Sequence, residues 1–114
     1  MKEMMVKVSN IKIDIPIYLA SSFFERLMGL MFKKNINYGL IFYNPGSLQT
    51  SFMREPIDIL FWDKDKKIIK VIEKMKPWRI TGLNLKAKAA LELPQGSIRK
   101  YHLKVGTYLE VTDV

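Results

Sequence analysis

The stretch IKIDIPIYL, residues 11–19, alternates isoleucine or leucine with other residues along its whole length. Successive side chains of a strand point to opposite faces, so this pattern predicts a strand that buries one isoleucine-rich face. Pro16 lacks the N–H that a strand ladder needs, which predicts an edge position. Val6 and Val8 precede the stretch across Ser9-Asn10, a pair suited to a tight turn. The chain therefore opens with a predicted β-hairpin.

One helix is predicted after this hairpin. Ser22 and Glu25 have the spacing of a capping box, in which a serine caps the helix and a glutamate follows three residues later. Apolar residues then recur at helical spacing, namely Phe23, Phe24, Leu27, Met28 and Met31. Gly29 accepts the left-handed conformation that closes a helix. The helix is expected to end at about residue 28.

The rest of the chain consists of short apolar runs separated by turn signals. Strands are predicted at residues 39–43, 57–62, 68–72, 89–93 and 108–111, and Ser97 is expected to cap one helical turn. The Asp63–Lys67 segment is interpreted as a hairpin turn, because a calcium loop would need glycine and glutamate where Ile68 and Lys74 stand. This spacing is typical of a mainly β (α+β) single domain, a β sandwich or barrel with one or two short helices.

The composition fits one globular domain spanning residues 1–114. Apolar residues make up 48% of the chain and charged residues 26%, which is too apolar for a disordered segment. The absence of cysteine excludes disulfides, thiolate metal sites and thiol nucleophiles. Charged residues interrupt the N-terminus, and the longest uncharged stretch, Asn35–Met53, is too polar to span a membrane. We expect an unexported cytoplasmic protein that is a monomer or a weak dimer.

The formal net charge is +8, with 19 basic and 11 acidic residues. The basic residues are scattered, and no recognition helix, zinc motif or RNA-binding signature accompanies them. We therefore interpret the surplus as solvated surface. Nucleic-acid binding through a basic surface stays as an alternative, and any such affinity should be weak and sensitive to salt.

Few sequence features favour catalysis. His102 is the one histidine, no nucleophile elbow accompanies it, and it is interpreted as a surface residue. The isolated glycines form neither a phosphate loop nor a dinucleotide fingerprint. We expect no cofactor, no metal ligands and no catalytic residue, and we favour a ligand-binding or protein-interaction module over an enzyme.

Seven motifs resemble one family when they are taken in order. They are RLMGLMF (26–32), GLIF (39–42), FM (52–53), IDILF (57–61), KPWR (76–79), LELPQG (91–96) and KVG (104–106). In this order they resemble the domain of unknown function 192 family, also called uncharacterised protein family 0127, over about residues 11 to 111. The resemblance implies a jelly-roll-like β sandwich with short helices and no settled biochemical role. Members often have a tryptophan before the methionine of the third motif, and this chain has Phe52 there.

Three charges, Arg26, Asp58 and Glu92, lie inside or beside apolar runs, where an unpaired charge would be costly. One interpretation is a structural ion pair between Arg26 and Asp58. Another is a polar centre in a ligand groove that Met31, Met53 and Trp62 line. The ligand-binding candidates are therefore Arg26, Met31, Met53, Asp58, Trp62 and Glu92. A third hypothesis is a hydrolase-like enzyme in which Asp58 and Glu92 are paired carboxylates.

Overall fold

The computed structural model describes residues 1–22, 25–26 and 29–114. Within these ranges, besides the helical residues Glu25 and Arg26, it contains eight strands and one short helix, in the order β1 Lys2–Val8, β2 Ile11–Lys12, β3 Ile17–Leu19, β4 Gly39–Tyr43, β5 Ile57–Trp62, β6 Ile68–Met75, β7 Ala89–Pro94, α1 Ser97–Lys100 and β8 Leu109–Asp113. Strand residues far outnumber helical ones, which confirms the predicted mainly β class. In the described ranges no helix has the length and hydropathy needed to cross a membrane.

The strands form one sheet in the order β2-β1-β3-β4-β7-β5-β6, and β8 pairs with β1. Neighbouring strands are antiparallel except for β3 and β4, which are parallel. The sheet curls, because Lys67 at the start of β6 bridges to Tyr108 just before β8. In addition, the N–H of Ile68 donates to the carbonyl of Thr107 at 2.8 Å. The result is a half-barrel with an inner and an outer face.

The predicted opening hairpin is present. Ser9 and Asn10 join β1 to β2, and both have the left-handed backbone (φ 50° and 64°) that a tight two-residue turn requires. The continuous strand predicted over residues 11–19 is wrong, because it is divided into β2 and β3. Residues 13–16 separate the two pieces, and Pro16 cannot donate to the ladder.

The division of this strand does not change which of its side chains are buried. Lys7 pairs with Lys12, but Met4 pairs with Ile17, so two extra residues lie between the two ladders. An insertion of two residues leaves the alternation of side chains unchanged. Ile13 and Ile17 are therefore both buried in the same inner cluster, as the alternation predicted.

The capping contacts predicted at Ser22 are also present. The Ser22 hydroxyl accepts the N–H of Glu25 at 3.0 Å, and the Glu25 carboxylate accepts the N–H of Ser21 at 3.0 Å. Glu25 and Arg26 are helical, and Gly29 has φ +45° and donates to the carbonyl of Glu25. The predicted apolar helix residues Phe23, Phe24, Leu27 and Met28 lie outside the described residues.

The sheet carries a hydrophobic cluster on each face. The alternation along β5 and β7 sends Leu60, Trp62, Leu91 and Leu93 inward. It sends Ile57, Ile59, Phe61 and Ala90 outward, where they pack against residues of the long connections, namely Ala20, Leu30, Ile36, Leu48, Met53 and Ala87. The outer cluster and the connections that cover it form the walls of a cleft.

The hairpin turn predicted between β5 and β6 is present. One carboxylate oxygen of Asp63 accepts the N–H groups of Asp65 and Lys67 at 2.9 and 3.1 Å. The bond from Lys67, followed by the bond from Asp65, lowers the pKa of Asp63. Lys66 has φ 62°, as a tight turn requires.

Candidate functional site

A cleft of about 510 Å³ opens on the outer face of the half-barrel. Its walls come from the connections before β4 and β5, and its floor comes from β4 and β7. The lining residues are Ser21, Arg26, Gly29, Leu30, Met31, Phe42, Pro45, Ser47, Leu48, Gln49, Met53 and Glu92. The cleft is therefore mostly apolar, with a few polar groups that face into it.

Glu92 lies at the floor of the cleft. Its neighbours Leu91 and Leu93 point into the inner cluster, so the alternation of β7 turns the glutamate outward beneath the connections. Its side chain is only 6% exposed. Burial disfavours the charged form and raises the pKa of Glu92 to about 8. The raised pKa favours the protonated form of Glu92 at neutral pH, and a protonated carboxyl group can donate a hydrogen bond.

Gly29 lies beside this carboxyl group. A Cβ atom at position 29 would be in ordinary contact with Oε1 of Glu92 (3.9 Å) and with the ring of Phe42 (3.8 Å). The backbone there is left-handed, so a side chain would be strained. Gly29 thus ends the helical turn and brings its backbone over the floor of the cleft.

Tyr38 belongs to the surroundings of Glu92. The pKa of its hydroxyl is raised, first by burial, then by the negative charge of Glu92 and by Tyr18. The rings of Tyr18 and Tyr38 pack edge to face with their centroids 6.1 Å apart. Both tyrosines support the outer cluster from the β3 side.

Arg26 lies at the rim of the cleft. It is exposed, and its Nη2 donates to the carbonyl of Asn44 at 3.3 Å. This contact links the segment that contains Ser22 and Gly29 to the turn after β4. The guanidinium places a permanent positive charge at the mouth of the cleft.

Met31, in the connection before β4, and Met53, in the connection before β5, line the cleft. Met53 is nearly buried, whereas Met31 is half-buried. Methionine side chains are flexible and polarizable, so they adapt to apolar groups of different shapes. They provide an adaptable wall opposite the more rigid floor.

Thr50 anchors the wall that contains Met53. Its buried hydroxyl donates to the carbonyl of Lys76 at 2.7 Å and accepts the N–H of Arg79 at 2.9 Å. Its carbonyl also accepts the N–H groups of Met53 and Trp78. Thr50 could not be identified from the sequence, since one threonine in a loop has no distinctive spacing.

Asp58 lies on the opposite face of the sheet and does not line the cleft. Its carboxylate accepts the N–H of Lys74 and the N–H of Ile98, each at 2.8 Å. Glu73 and Lys74 form a bulge opposite Asp58, because the register shifts by one residue between Ile57 and Ile59. The bulge turns the N–H of Lys74 toward the carboxylate.

The ion pair predicted between Arg26 and Asp58 is therefore wrong. Both oxygens of Asp58 accept backbone N–H groups inside the protein, while Arg26 contacts Asn44 at the surface.

The cap predicted for α1 is also wrong. The N-cap is Gly96, and the Ser97 hydroxyl donates to the carbonyl of Pro94. Asp58 accepts the N–H in the first turn of α1 instead.

Trp62 also lies outside the cleft. It is 1% exposed and belongs to the inner cluster, on the same face as Asp58. Four of the six candidate residues, Arg26, Met31, Met53 and Glu92, thus surround one cleft, and two do not. Phe42, Pro45 and Gln49 also line the cleft but were not predicted from the sequence. Phe42 could have been found, because it lies on the strand next to Glu92 and points to the same outer face.

The hypothesis of paired carboxylates is contradicted by the register of β5 and β7. Asp58 pairs with Leu93, and Glu92 pairs with Ile59. Paired residues share a face, and successive residues alternate between faces, so the two carboxyl groups point to opposite sides of the sheet. They cannot divide acid and base roles at one site.

The second depression on the surface contains His102. It is lined by Val71, Glu73, Ile98, Arg99, His102, Leu103, Lys104 and Val105. His102 is exposed just after α1, as predicted from the sequence, and it does not line the cleft.

Comparisons with known proteins agree with the fold. A UPF0127 protein of Pyrococcus furiosus (PF1050) is 36% identical over 105 residues, covering 87% of this chain and 89% of the relative. A UPF0127 protein of Pyrococcus horikoshii (PH1112) is 36% identical over 93 residues, covering 76% and 79%. The crystal structure of a protein of unknown function from Novosphingobium aromaticivorans superposes with a TM-score of 0.79 at 22% identity, covering 95% of this chain and 83% of that one.

The family model described as Uncharacterized ACR (DUF192) matches residues 4–111. This match spans nearly all of the half-barrel, from within β1 to within β8, and includes every residue that lines the cleft. Together with the 36% identity to two UPF0127 proteins, this match shows that the chain belongs to the domain of unknown function 192 family.

Proposed function

We propose that this protein is a binding module and that its cleft binds a small amphipathic molecule with a carbonyl or carboxylate oxygen. The observation that carries the proposal is the carboxyl group of Glu92, which is buried at the floor of an apolar cleft, where burial raises its pKa to about 8. Its O–H donates to the acceptor oxygen of the ligand. Met31, Met53 and Phe42 contact the apolar part.

The size of the cleft supports a small molecule. Ligand pockets commonly have volumes of about 300 to 1,000 Å³, are largely apolar and contain a few polar groups that orient the ligand. The volume of about 510 Å³ and the mixture of apolar and polar lining residues fit this description. A molecule with a chain of about six carbon atoms would occupy only part of such a volume, so it is a suitable first probe.

The charges favour an acceptor over an amine. A ligand with an ammonium group would require Glu92 to ionise in surroundings that raise its pKa to about 8. The cation would also approach a protein of net charge +8 past the guanidinium of Arg26. A carbonyl or carboxylate oxygen meets neither obstacle.

Methyl NMR of the methionines tests this function. We would titrate the protein at about pH 6.5, where Glu92 is protonated, with hexanamide, hexanoate and hexylamine. We expect hexanamide and hexanoate to shift the methyl signals of Met31 and Met53. Met4 lies in the inner cluster and provides an internal control. Equal shifts with hexylamine, or shifts confined to Met4, would contradict the proposal.

Two variants of Glu92 separate donation from packing. Glu92→Gln keeps a neutral donor of similar size, so hexanamide binding should remain. Glu92→Leu keeps the volume but removes the donor, and the affinity for hexanamide should fall roughly ten-fold, as expected for one lost hydrogen bond. Similar affinities of the two variants would show that Glu92 does not donate to the ligand.

A further inference from the structure

Three aromatic side chains form an exposed cluster beside the cleft. The ring centroids of Phe32 and Phe52 are 5.5 Å apart, and those of Phe52 and Trp78 are 4.7 Å apart. The side chains are 57%, 47% and 59% exposed, respectively. Their chain neighbours Met31 and Met53 line the cleft, so this aromatic cluster adjoins the mouth of the cleft.

The backbone holds these rings outward in a strained conformation. Phe32, Phe52 and Trp78 have φ values of 63°, 64° and 63°, in the left-handed region that bulky residues rarely adopt. Hydrogen bonds fix them there, because the N–H of Phe32 donates to the carbonyl of Phe52 and the N–H of Trp78 donates to Thr50. Burial of the rings does not offset this strain, since about half of each ring faces solvent.

The loops that carry the cluster also account for most of the net positive charge. Residues 30–36, 50–56 and 76–88 contain seven of the 19 basic residues and one of the 11 acidic residues. All seven basic side chains are exposed. The acidic residue is Glu55, whose carboxylate accepts the N–H groups of Asn35 and Ile36. These loops thus account for a net charge of +6 out of +8.

The third loop adds exposed aliphatic side chains. Ile80, Leu83 and Leu85 are 69%, 67% and 87% exposed. Bases of nucleic acid stack on aromatic rings but gain little from aliphatic side chains. The rings of the cluster are moreover tilted by 42° and 60° to each other and form no parallel platform. A lipid surface accommodates both kinds of apolar side chain and attracts the lysines and arginines around them.

We propose that this face docks on an anionic lipid bilayer. The aromatic cluster and the aliphatic side chains enter the interfacial layer, and the surrounding basic side chains contact lipid phosphates. We infer a lipid partner because the basic side chains complement the negative charge of lipid phosphates, and because the exposed apolar groups are both aromatic and aliphatic. This inference goes beyond the binding of a small molecule in the cleft and does not depend on it.

Trp78 provides a direct measurement. Trp62 is buried, so a change in tryptophan emission on addition of vesicles reports on Trp78. We expect binding and a blue shift of the emission with vesicles of phosphatidylcholine that contain about 30 mol % phosphatidylserine. Pure phosphatidylcholine vesicles should bind much more weakly, and about 500 mM salt should weaken the binding to anionic vesicles. Binding without a blue shift would contradict insertion of the ring.

Matched variants separate this face from the remaining surface. Asparagine tolerates the left-handed conformation, so Phe32→Asn with Phe52→Asn removes apolar surface without backbone strain. We expect this double variant to lose roughly ten-fold or more in vesicle affinity, because two rings no longer enter the interface. Val105→Asn, at an exposed site outside the three loops, should bind as the unmodified protein does.

Two outcomes would overturn the proposal. The first is unchanged vesicle affinity in the double variant. The second is no binding to anionic vesicles together with binding of a single-stranded oligonucleotide that the double variant weakens. Glu92→Leu, which should weaken hexanamide binding, should leave vesicle affinity unchanged, so failure of either proposal can be recognised independently of the other.

Discussion

At the scale of single residues, the two buried acids Asp58 and Glu92 differ in what surrounds them. Asp58 accepts backbone N–H groups with both oxygens, one from the β6 bulge and one from α1. It therefore joins three elements in the interior of the protein. Glu92 lies on the neighbouring strand β7 and pairs with Ile59, the residue after Asp58, so it faces the outer cleft. Burial there raises the pKa of Glu92 to about 8. Asp58 stabilises the fold, and Glu92 is the donor in the proposed binding site.

Asp58→Ala should destabilise the protein strongly. The substitution leaves the N–H groups of Lys74 and Ile98 without their acceptor, and each unsatisfied buried group costs about 1 to 3 kcal/mol. We expect the free energy of unfolding in urea to fall by about 3 to 5 kcal/mol. Arg26→Ala is the control and should change it by less than about 0.5 kcal/mol. The losses should add in the double variant, and marked non-additivity would show that Arg26 and Asp58 interact.

Glu92 should make stability depend on pH. The folded pKa of about 8 exceeds the ordinary value of 4.5, so between these values the folded state retains a proton that the unfolded state has lost. The contribution of Glu92 is therefore fully present below about pH 4.5 and is lost as the pH rises to about 8.

Glu92→Gln should remove this dependence. At about pH 5 the variant and the unmodified protein should have similar melting temperatures, whereas at about pH 8.5 the variant should be more stable by several kcal/mol. Thermal unfolding at a series of pH values measures the difference. A constant difference across the series would mean that the pKa of Glu92 is not raised by folding.

At the scale of elements, β4 is the strand that joins the two halves of the sheet. It pairs in parallel with β3 on one side and antiparallel with β7 on the other. Gly39 begins β4 at the point of closest approach. A Cβ there would lie 2.9 Å from Cδ2 of Leu93, 3.1 Å from the carbonyl oxygen of Glu92 and 3.3 Å from Ile17. Because glycine has no side chain, β3, β4 and β7 can pack closely at Gly39.

Gly39→Ala should therefore be destabilising by overcrowding. The added methyl group must displace a buried leucine or the backbone of β7, and such overpacking costs about 1 to 3 kcal/mol. Urea unfolding measures the loss. Leu93→Val shortens the side chain that contacts the new methyl group, so the double variant should lose less than the sum of the single losses. A neutral effect of Gly39→Ala would show that β7 moves away at little cost.

At the scale of the whole molecule, one sheet supports two hydrophobic clusters. Strands β5 and β7 have both faces buried and a partner on each edge, so they contribute to both clusters. The peripheral strands differ, because β2 is exposed and β8 alternates between buried and exposed residues. Strands at such peripheral positions can unfold locally with the loss of fewer contacts than the central strands.

Amide hydrogen exchange should reveal this order. We expect the amides of β5 and β7 to exchange slowest, through global unfolding, and those of β2 and the loop at 82–86 to exchange fastest. Exchange measured by NMR at single residues tests the ranking. Faster exchange in β5 than in β8 would show that the outer cluster opens before the inner one.

Residues with local signals could be predicted, and residues whose partners are distant could not. The bounds of β4 and β5 follow from apolar runs that turn residues bracket, and Glu92 was identified by its place between two leucines. The break at Pro16 was missed, because two inserted residues leave the alternation intact. The role of Asp58 was missed because its acceptor geometry depends on a bulge in β6 and on Ile98, 40 residues away.

The pairing of β1 with β8 brings the two ends of the chain together, with Met4 opposite Asp113 and the Lys2 ammonium 2.8 Å from the Asp113 carboxylate. During synthesis, one edge of β1 must therefore wait for a strand that leaves the ribosome more than 100 residues later. Contacts between such distant residues also make folding slow, because a long loop must close before they form. The same proximity means that a short linker from Asp113 to Lys2 would make the pairing of β1 with β8 a local contact.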